Sequence, residues 1–236
     1  TKQDVEDLLR FLYANHLMRD PPQGGYRAYA EQAEAARPSW VTWMVHHYLF
    51  FQIPLLRPDR FLRATLPFVD WLYSRAVAWA IGGIGLIGLY LVSRQWDTFM
   101  ATALHFFTPR GFALYILCLA VVKVFHELGH AYTATRYGCR VPTMGIAMMV
   151  MVPMLYSDTS DAWKLPSRRQ RAAIGAAGMI VECALAALAI FAWNFLDDGL
   201  ARSLAFIVAT TSLMVGAAIN LSPFMRFDGY YVLSDW

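Results

Sequence analysis

Val122-Lys123-Val124-Phe125-His126-Glu127-Leu128-Gly129-His130 lies inside an apolar run, Gly111–Thr135, and its reading decides the rest of the chain. The run is long enough to cross a hydrocarbon core as a helix, which takes about 20 residues. In a helix, residues four apart are separated by only about 40° around the axis, so His126 and His130 share one face. Lys123 stands about 60° from His126 and Glu127 about 100° from it. Four polar side chains therefore gather on one side of an otherwise apolar helix. Two imidazoles at this spacing suit one zinc ion, with the intervening glutamate placed to activate bound water. Ionisable groups at membrane depth cost several kcal/mol unless they have a partner or a task, which weighs against a purely structural cluster.

Composition agrees with a membrane setting. Hydrophobic residues make up 58% of the 236 and charged residues 16%, against roughly 45–50% and about 25% in soluble domains. Mean hydropathy is +0.38. The net charge of +3 is too small, and the basic residues too dispersed, to point to nucleic acid. Three cysteines, Cys118, Cys139 and Cys183, have no CxxC spacing and suggest no disulfide framework.

Outward from the motif, three more runs read as spans: Ala76–Ser93, Ala172–Leu196 with Glu182 as its one charge, and Ser203–Met225. The expected fold class is thus an all-α polytopic membrane protein with about four transmembrane helices. Thr143–Tyr156 is too short for a span and reads as a strand-like or re-entrant piece, its Met144–Val152 stretch offering an edge for strand addition. Asp97–Pro109 reads as an outer-face interfacial helix, and the aromatic, arginine-flanked stretch 38–66 as an interfacial segment. Residues 1–37 are expected to form a cytoplasmic segment and linker opened by an amphipathic helix, 67–110 to hold the first span and outer-face segment, and 111–236 the membrane core that carries the motif. Gly82 with Gly85, and Gly175 with Gly178, predict close helix packing. Arg57, Arg60, Arg63, Arg75 and the basic loop from Arg136 to Arg171 place the N-terminal part and that loop in the cytoplasm. The chain is expected to be a piece of a longer protein.

A catalytic zinc needs a third protein ligand and an open position. The extended HExxHxxGxxH pattern fails, because Thr133 and Arg136 occupy the Gly and His positions. Of the carboxylates after the motif, Asp228 is the best candidate, since the fourth span returns to the side where the motif lies and Gly229 permits a sharp turn. Asp158 and Asp161 read as loop anchors, Asp158 with a possible place beside the site. Glu182 is the first-choice partner for Lys123. His16, His46, His47 and His105 read as incidental.

Together, the HExxH run and Asn220-Leu221-Ser222-Pro223-Phe224-Met225-Arg226-Phe227-Asp228-Gly229 resemble the site-2 protease family of intramembrane zinc metalloproteases. The resemblance implies one Zn²⁺ held by His126, His130 and Asp228, Glu127 as catalytic base, and Asn220 near the substrate. Leu55–Leu62, Tyr156-Ser157-Asp158 and Arg226–Tyr231 look like a bacterial subgroup of peptide zinc metalloproteases that accompany periplasmic adaptor proteins and peptide exporters. The opening helix resembles the end of a small winged-helix domain of that subgroup. The implied substrate is a membrane-associated or exported peptide or protein, in the bacterial cytoplasmic membrane. The alternative is a zinc-containing subunit that binds peptides and docks an export complex without cutting. One departure stands out: where many family members carry Gly-Pro-x-x-Asn, this chain has Gly178-Met179-Ile180-Val181-Glu182.

Overall fold

The computed structural model describes residues 2–15, 50–103, 108–149, 152–215 and 228–235. The chain divides into two compact units, 1–51 and 52–236. In the first, Lys2–Ala14 forms α1, whose apolar residues Val5, Leu8, Leu9 and Phe11 are exposed.

The second unit carries the site. It opens within β1 (Phe50–Leu56) and runs through α2 (Asp59–Val69), a 3-10 turn (Asp70–Tyr73), α3 (Arg75–Arg94), α4 (Trp96–Ala103) and α5 (Pro109–Arg136). It continues with β2 (Met144–Met149), β3 (Val152–Ser157), a 3-10 turn (Ser160–Lys164), α6 (Arg168–Trp193), α7 (Leu200–Val215) and α8 (Asp228–Asp235). Among the described residues, three helices are long and apolar enough to cross a membrane: Arg75–Arg94, Gly111–Arg136 and Arg168–Trp193. The expected fourth span is described only as α7, and 216–227 lie outside the described residues.

Local chemistry sets the helix ends. Ser74 caps α3 by accepting from the Val77 N–H at 3.3 Å, and Thr108 caps α5 by accepting from Gly111 N–H at 3.1 Å. Pro109 follows at the first helical position, where its missing N–H costs nothing. Gly138, at φ +82°, ends α5 in the left-handed conformation, with Cys139 N–H donating back to Ala134 O at 3.0 Å.

Helix α6 is the hub, packing against α3, α5, α7 and α8. It needs small residues to do so. A Cβ on Gly85 or Gly88 of α3 would come within 2.9 Å of Ala187 Cβ or of Phe191 N, so the helices touch almost backbone to backbone. Gly82 has nothing within 4 Å. The α3 contact thus uses Gly85 with Gly88, one helical turn from the expected pair.

Two buried clusters lie at opposite ends of α6. Val92, Phe99, Ile190, Trp193, Ala205, Phe206 and Ala209 form one, with Trp193 meeting Phe99 edge-on at 5.0 Å and Arg202 over its ring at 4.2 Å. Phe99 is therefore a core residue, and α4 is not merely a surface helix; Leu104, Phe106 and Phe107 lie outside the described residues. The other cluster joins Leu62 of α2 to Ala131, Ala134, Cys139, Val141 and Ile174.

The fold is not purely helical. The strands form one sheet in the order β1-β2-β3, with β2 and β3 antiparallel from Met144↔Ser157 to Met149↔Val152. The strand-like expectation for Thr143–Tyr156 corresponds to this hairpin. Two expectations are corrected. Phe50–Leu56, read as part of an interfacial segment, is a strand. Met144–Met149, read as an available edge, is the middle strand, closed on both sides; among the described residues the outer strands are β1 and β3. Gly145 makes this packing possible, since a Cβ there would collide with Ile53 O and come 2.9 Å from Leu55 N. Met144 packs against the cluster around Leu62.

Candidate metal centre

Helices α5 and α6 run antiparallel and meet along three steps. Lys123 Nζ lies 2.6 Å from Glu182 Oε1, a Cβ on Gly178 would touch both imidazoles, and His130 Nδ1 lies 2.7 Å from Ile174 O. Gly129 allows the approach, because its own Cβ would sit 2.8 Å from Val181 Cγ2 and 3.0 Å from Ala177 O.

His126, His130 and Asp228 are brought together here. Asp228, at the first position of α8, has Oδ2 2.9 Å from His126 Nε2 and 3.3 Å from His130 Nε2. The two Nε2 atoms are 3.1 Å apart. Both histidines are buried, and Asp228 is half-buried.

The surroundings decide what those three atoms carry. A backbone carbonyl only accepts, so His130 Nδ1 must donate to Ile174 O, which leaves a lone pair on Nε2. His126 Nδ1 lies 3.0 Å from the Glu182 carboxylate with its N–H direction off the line to Oε1; that side again favours the proton on Nδ1. Asp228 Oδ2 is buried without an aligned donor. In the neutral tautomers so selected, three lone pairs converge with no hydrogen between them. A cation resolves that arrangement. Tetrahedral zinc with bonds of about 2.0–2.1 Å places neighbouring ligand atoms about 3.3–3.4 Å apart, close to the observed triangle. The donor set therefore fits zinc.

Glu127 is held from the sheet: Ser157 Oγ donates to its Oε2 at 2.6 Å. Sequence reading missed Ser157. Its one signal was the position at the end of the strand-like stretch, immediately before Asp158. Asp158 itself caps its own turn, accepting from Ser160 N–H at 3.1 Å, and its backbone N–H donates to Thr143 O at 2.9 Å. Asp161 accepts from Lys164 Nζ at 2.6 Å and from Arg140 N–H at 3.2 Å, contacts that hold its carboxyl below the usual range. Both thus serve as loop anchors in this structure. Asn220 and Pro223 lie outside the described residues, as do His16, His46, His47 and His105.

Residues 114–206 match the Peptidase family M50. That stretch contains the HExxH motif with most of α5, strands β2 and β3, and all of α6. A zinc metalloprotease of Methanocaldococcus jannaschii is 28% identical over 128 residues, covering 51% of this chain and 33% of that protein. The chain thus spans about a third of the length of that curated relative. No solved structure matches the chain.

Proposed function

We propose that this protein is an intramembrane zinc metalloprotease that hydrolyses peptide bonds of a membrane-associated or exported peptide or protein. The observation that carries the reading is the convergence of His126 Nε2, His130 Nε2 and Asp228 Oδ2 at 2.9–3.3 Å, the two histidines on a helix long and apolar enough to span. The likeness to a zinc metalloprotease and the M50 match over 114–206 support it.

His126, His130 and Asp228 would hold one zinc ion. Bound there, zinc supplies a lowered pKa for its water and polarisation of the scissile carbonyl. Glu127 removes the proton from the attacking water and returns it to the leaving amine. Ser157 keeps that carboxylate oriented through Oε2. Asn220 would contact substrate, as the family resemblance implies.

A substrate helix hides its peptide groups in its own hydrogen bonds, so it must be opened before cleavage. Strand β3 is an outer strand whose last residue, Ser157, touches Glu127. An extended substrate paired beside β3 would be led toward the base by backbone hydrogen bonds. The arginine distribution supports a cytoplasmic position for the N-terminal part and the β2–β3 side, in a bacterial inner membrane. The resemblance of the arginine- and aspartate-rich motifs to the peptide-export subgroup supports an adaptor or exporter as partner.

Purified protein in detergent, assayed for zinc and for cleavage of a transmembrane peptide, tests the reading. Wild type should bind one zinc and cut. Glu127→Gln should keep zinc and lose cleavage. If Glu127→Gln supports the full cellular function, a non-cleaving peptide-binding subunit is the better description.

A further inference from the structure

Glu182 is the most deeply buried carboxylate of the described residues, with its side chain 1% exposed. It stands where many site-2 proteases carry an uncharged asparagine. A charge in that position, on an apolar helix, is expensive unless it is compensated and used. Two side chains of α5 meet its Oε1. Lys123 Nζ lies 2.6 Å from Oε1, and His126 Nδ1 lies 3.0 Å from the same oxygen. Lys123 is one turn before His126 on α5, and its own side chain is 21% exposed.

We propose that Glu182 and Lys123 are positioning residues that hold His126 with Nδ1–H toward α6 and its Nε2 lone pair toward Asp228, and so set the metal affinity of the site. The inference rests on the zinc reading above. A carboxylate behind a ligating imidazole fixes both tautomer and ring orientation, and losing such a partner typically weakens metal binding about 10–100-fold. His130 receives the same service from a backbone carbonyl, Ile174 O, which cannot be lost by side-chain substitution. His126 depends on a side chain for it, and that side chain depends on Lys123. Without the ammonium, the buried carboxylate loses its opposite charge, and the cost of keeping it ionised beside His126 rises. The ammonium therefore acts on His126 only through Glu182.

The test measures zinc affinity in detergent by chelator competition, together with the nitrogen chemical shifts of labelled histidine, which report the proton-bearing ring atom. Glu182→Gln should weaken zinc binding about 10–100-fold and broaden or shift the His126 signal. Lys123→Met should weaken it about 10-fold, and Lys123→Arg should restore most of the loss. The double variant should bind no more weakly than Glu182→Gln alone, as expected for residues acting in series. Zinc affinity within about twofold of wild type in Glu182→Gln, or losses that multiply in the double variant, would overturn the inference. If Glu182→Gln does not fold, Lys123→Met decides: wild-type affinity there also overturns it. Asp228→Ala separates the two readings. Zinc retained in Asp228→Ala would defeat the metal site itself, whereas zinc lost there but kept in Glu182→Gln defeats only the positioning couple.

Discussion

Gly178 lies so close to His126 that a Cβ on it would come within 2.5 Å of the ring's Cε1 and Nε2. The same atom would also collide with Nε2 of His130. The backbone of α6 is thus the floor on which both imidazoles rest. Glycine is required there for its missing side chain, since both flanking turns are ordinary helix.

Gly178→Ala should therefore damage the site more than the fold. A single extra methyl in a tight contact typically costs about 1–3 kcal/mol, and here the groups that must yield are the ligand rings. Zinc affinity is expected to fall at least about 10-fold, in line with loss of ligand orientation. Titration with a chromophoric chelator checks this. An alanine variant with wild-type zinc affinity would mean that the helices can separate freely at this point.

Ser157→Ala should separate metal binding from catalysis. The hydroxyl touches Glu127, not the three ligand atoms. A hydrogen bond to a charged group contributes about 1.5–3 kcal/mol, so the cleavage rate should drop about 10–100-fold while zinc content stays at one per chain. Parallel metal analysis and single-turnover cleavage would show it. An unchanged rate would remove Ser157 from the site.

Much of this arrangement was legible from residue spacing, and the omissions have physical causes. His126, Glu127 and His130 could be placed on one face because helical periodicity fixes angles locally. The Lys123–Glu182 contact was legible because two opposite charges in apolar helices have few other partners. Phe50–Leu56 was not legible as a strand, since a short apolar run carries no periodicity that separates strand from interface. The middle position of β2 depends on pairing with β1, far away in sequence, and no local signal encodes strand order. Ser157 stood out only as part of the Tyr156-Ser157-Asp158 run, and its role shows only once a carboxylate is seen beside it. Gly178 was read for helix packing, and only the ring positions reveal what it packs against.

Trp193→Ala tests the other end of the molecule. Trp193 is fully buried among Val92, Phe99, Ile190 and Phe206, with the Arg202 guanidinium over its face. Truncating a buried tryptophan removes about 3–5 kcal/mol, and Arg202 loses its aromatic partner as well. The thermal midpoint in detergent should fall markedly. Zinc stoichiometry of the folded fraction should not change, because none of the cluster's residues touches the site. Loss of zinc from well-folded Trp193→Ala protein would show that the two ends of α6 are coupled.

Removing the metal should destabilise the wild type in a way that Asp228→Ala cannot share. Nε2 of each histidine and Oδ2 of Asp228 face one another at 2.9–3.3 Å, so a cation bound there ties α5 to α8 and stabilises the folded chain. Binding to the native state alone adds RT ln(1 + [L]/Kd), about 2.7 kcal/mol at a free concentration of 100 Kd. A chelator should accordingly lower the thermal midpoint of the wild type, and zinc should restore it. Asp228→Ala lacks both the third ligand and the crowded lone pair. Its midpoint should respond to neither chelator nor zinc. A chelator-induced shift in Asp228→Ala equal to that of the wild type would place the stabilising metal elsewhere in the protein.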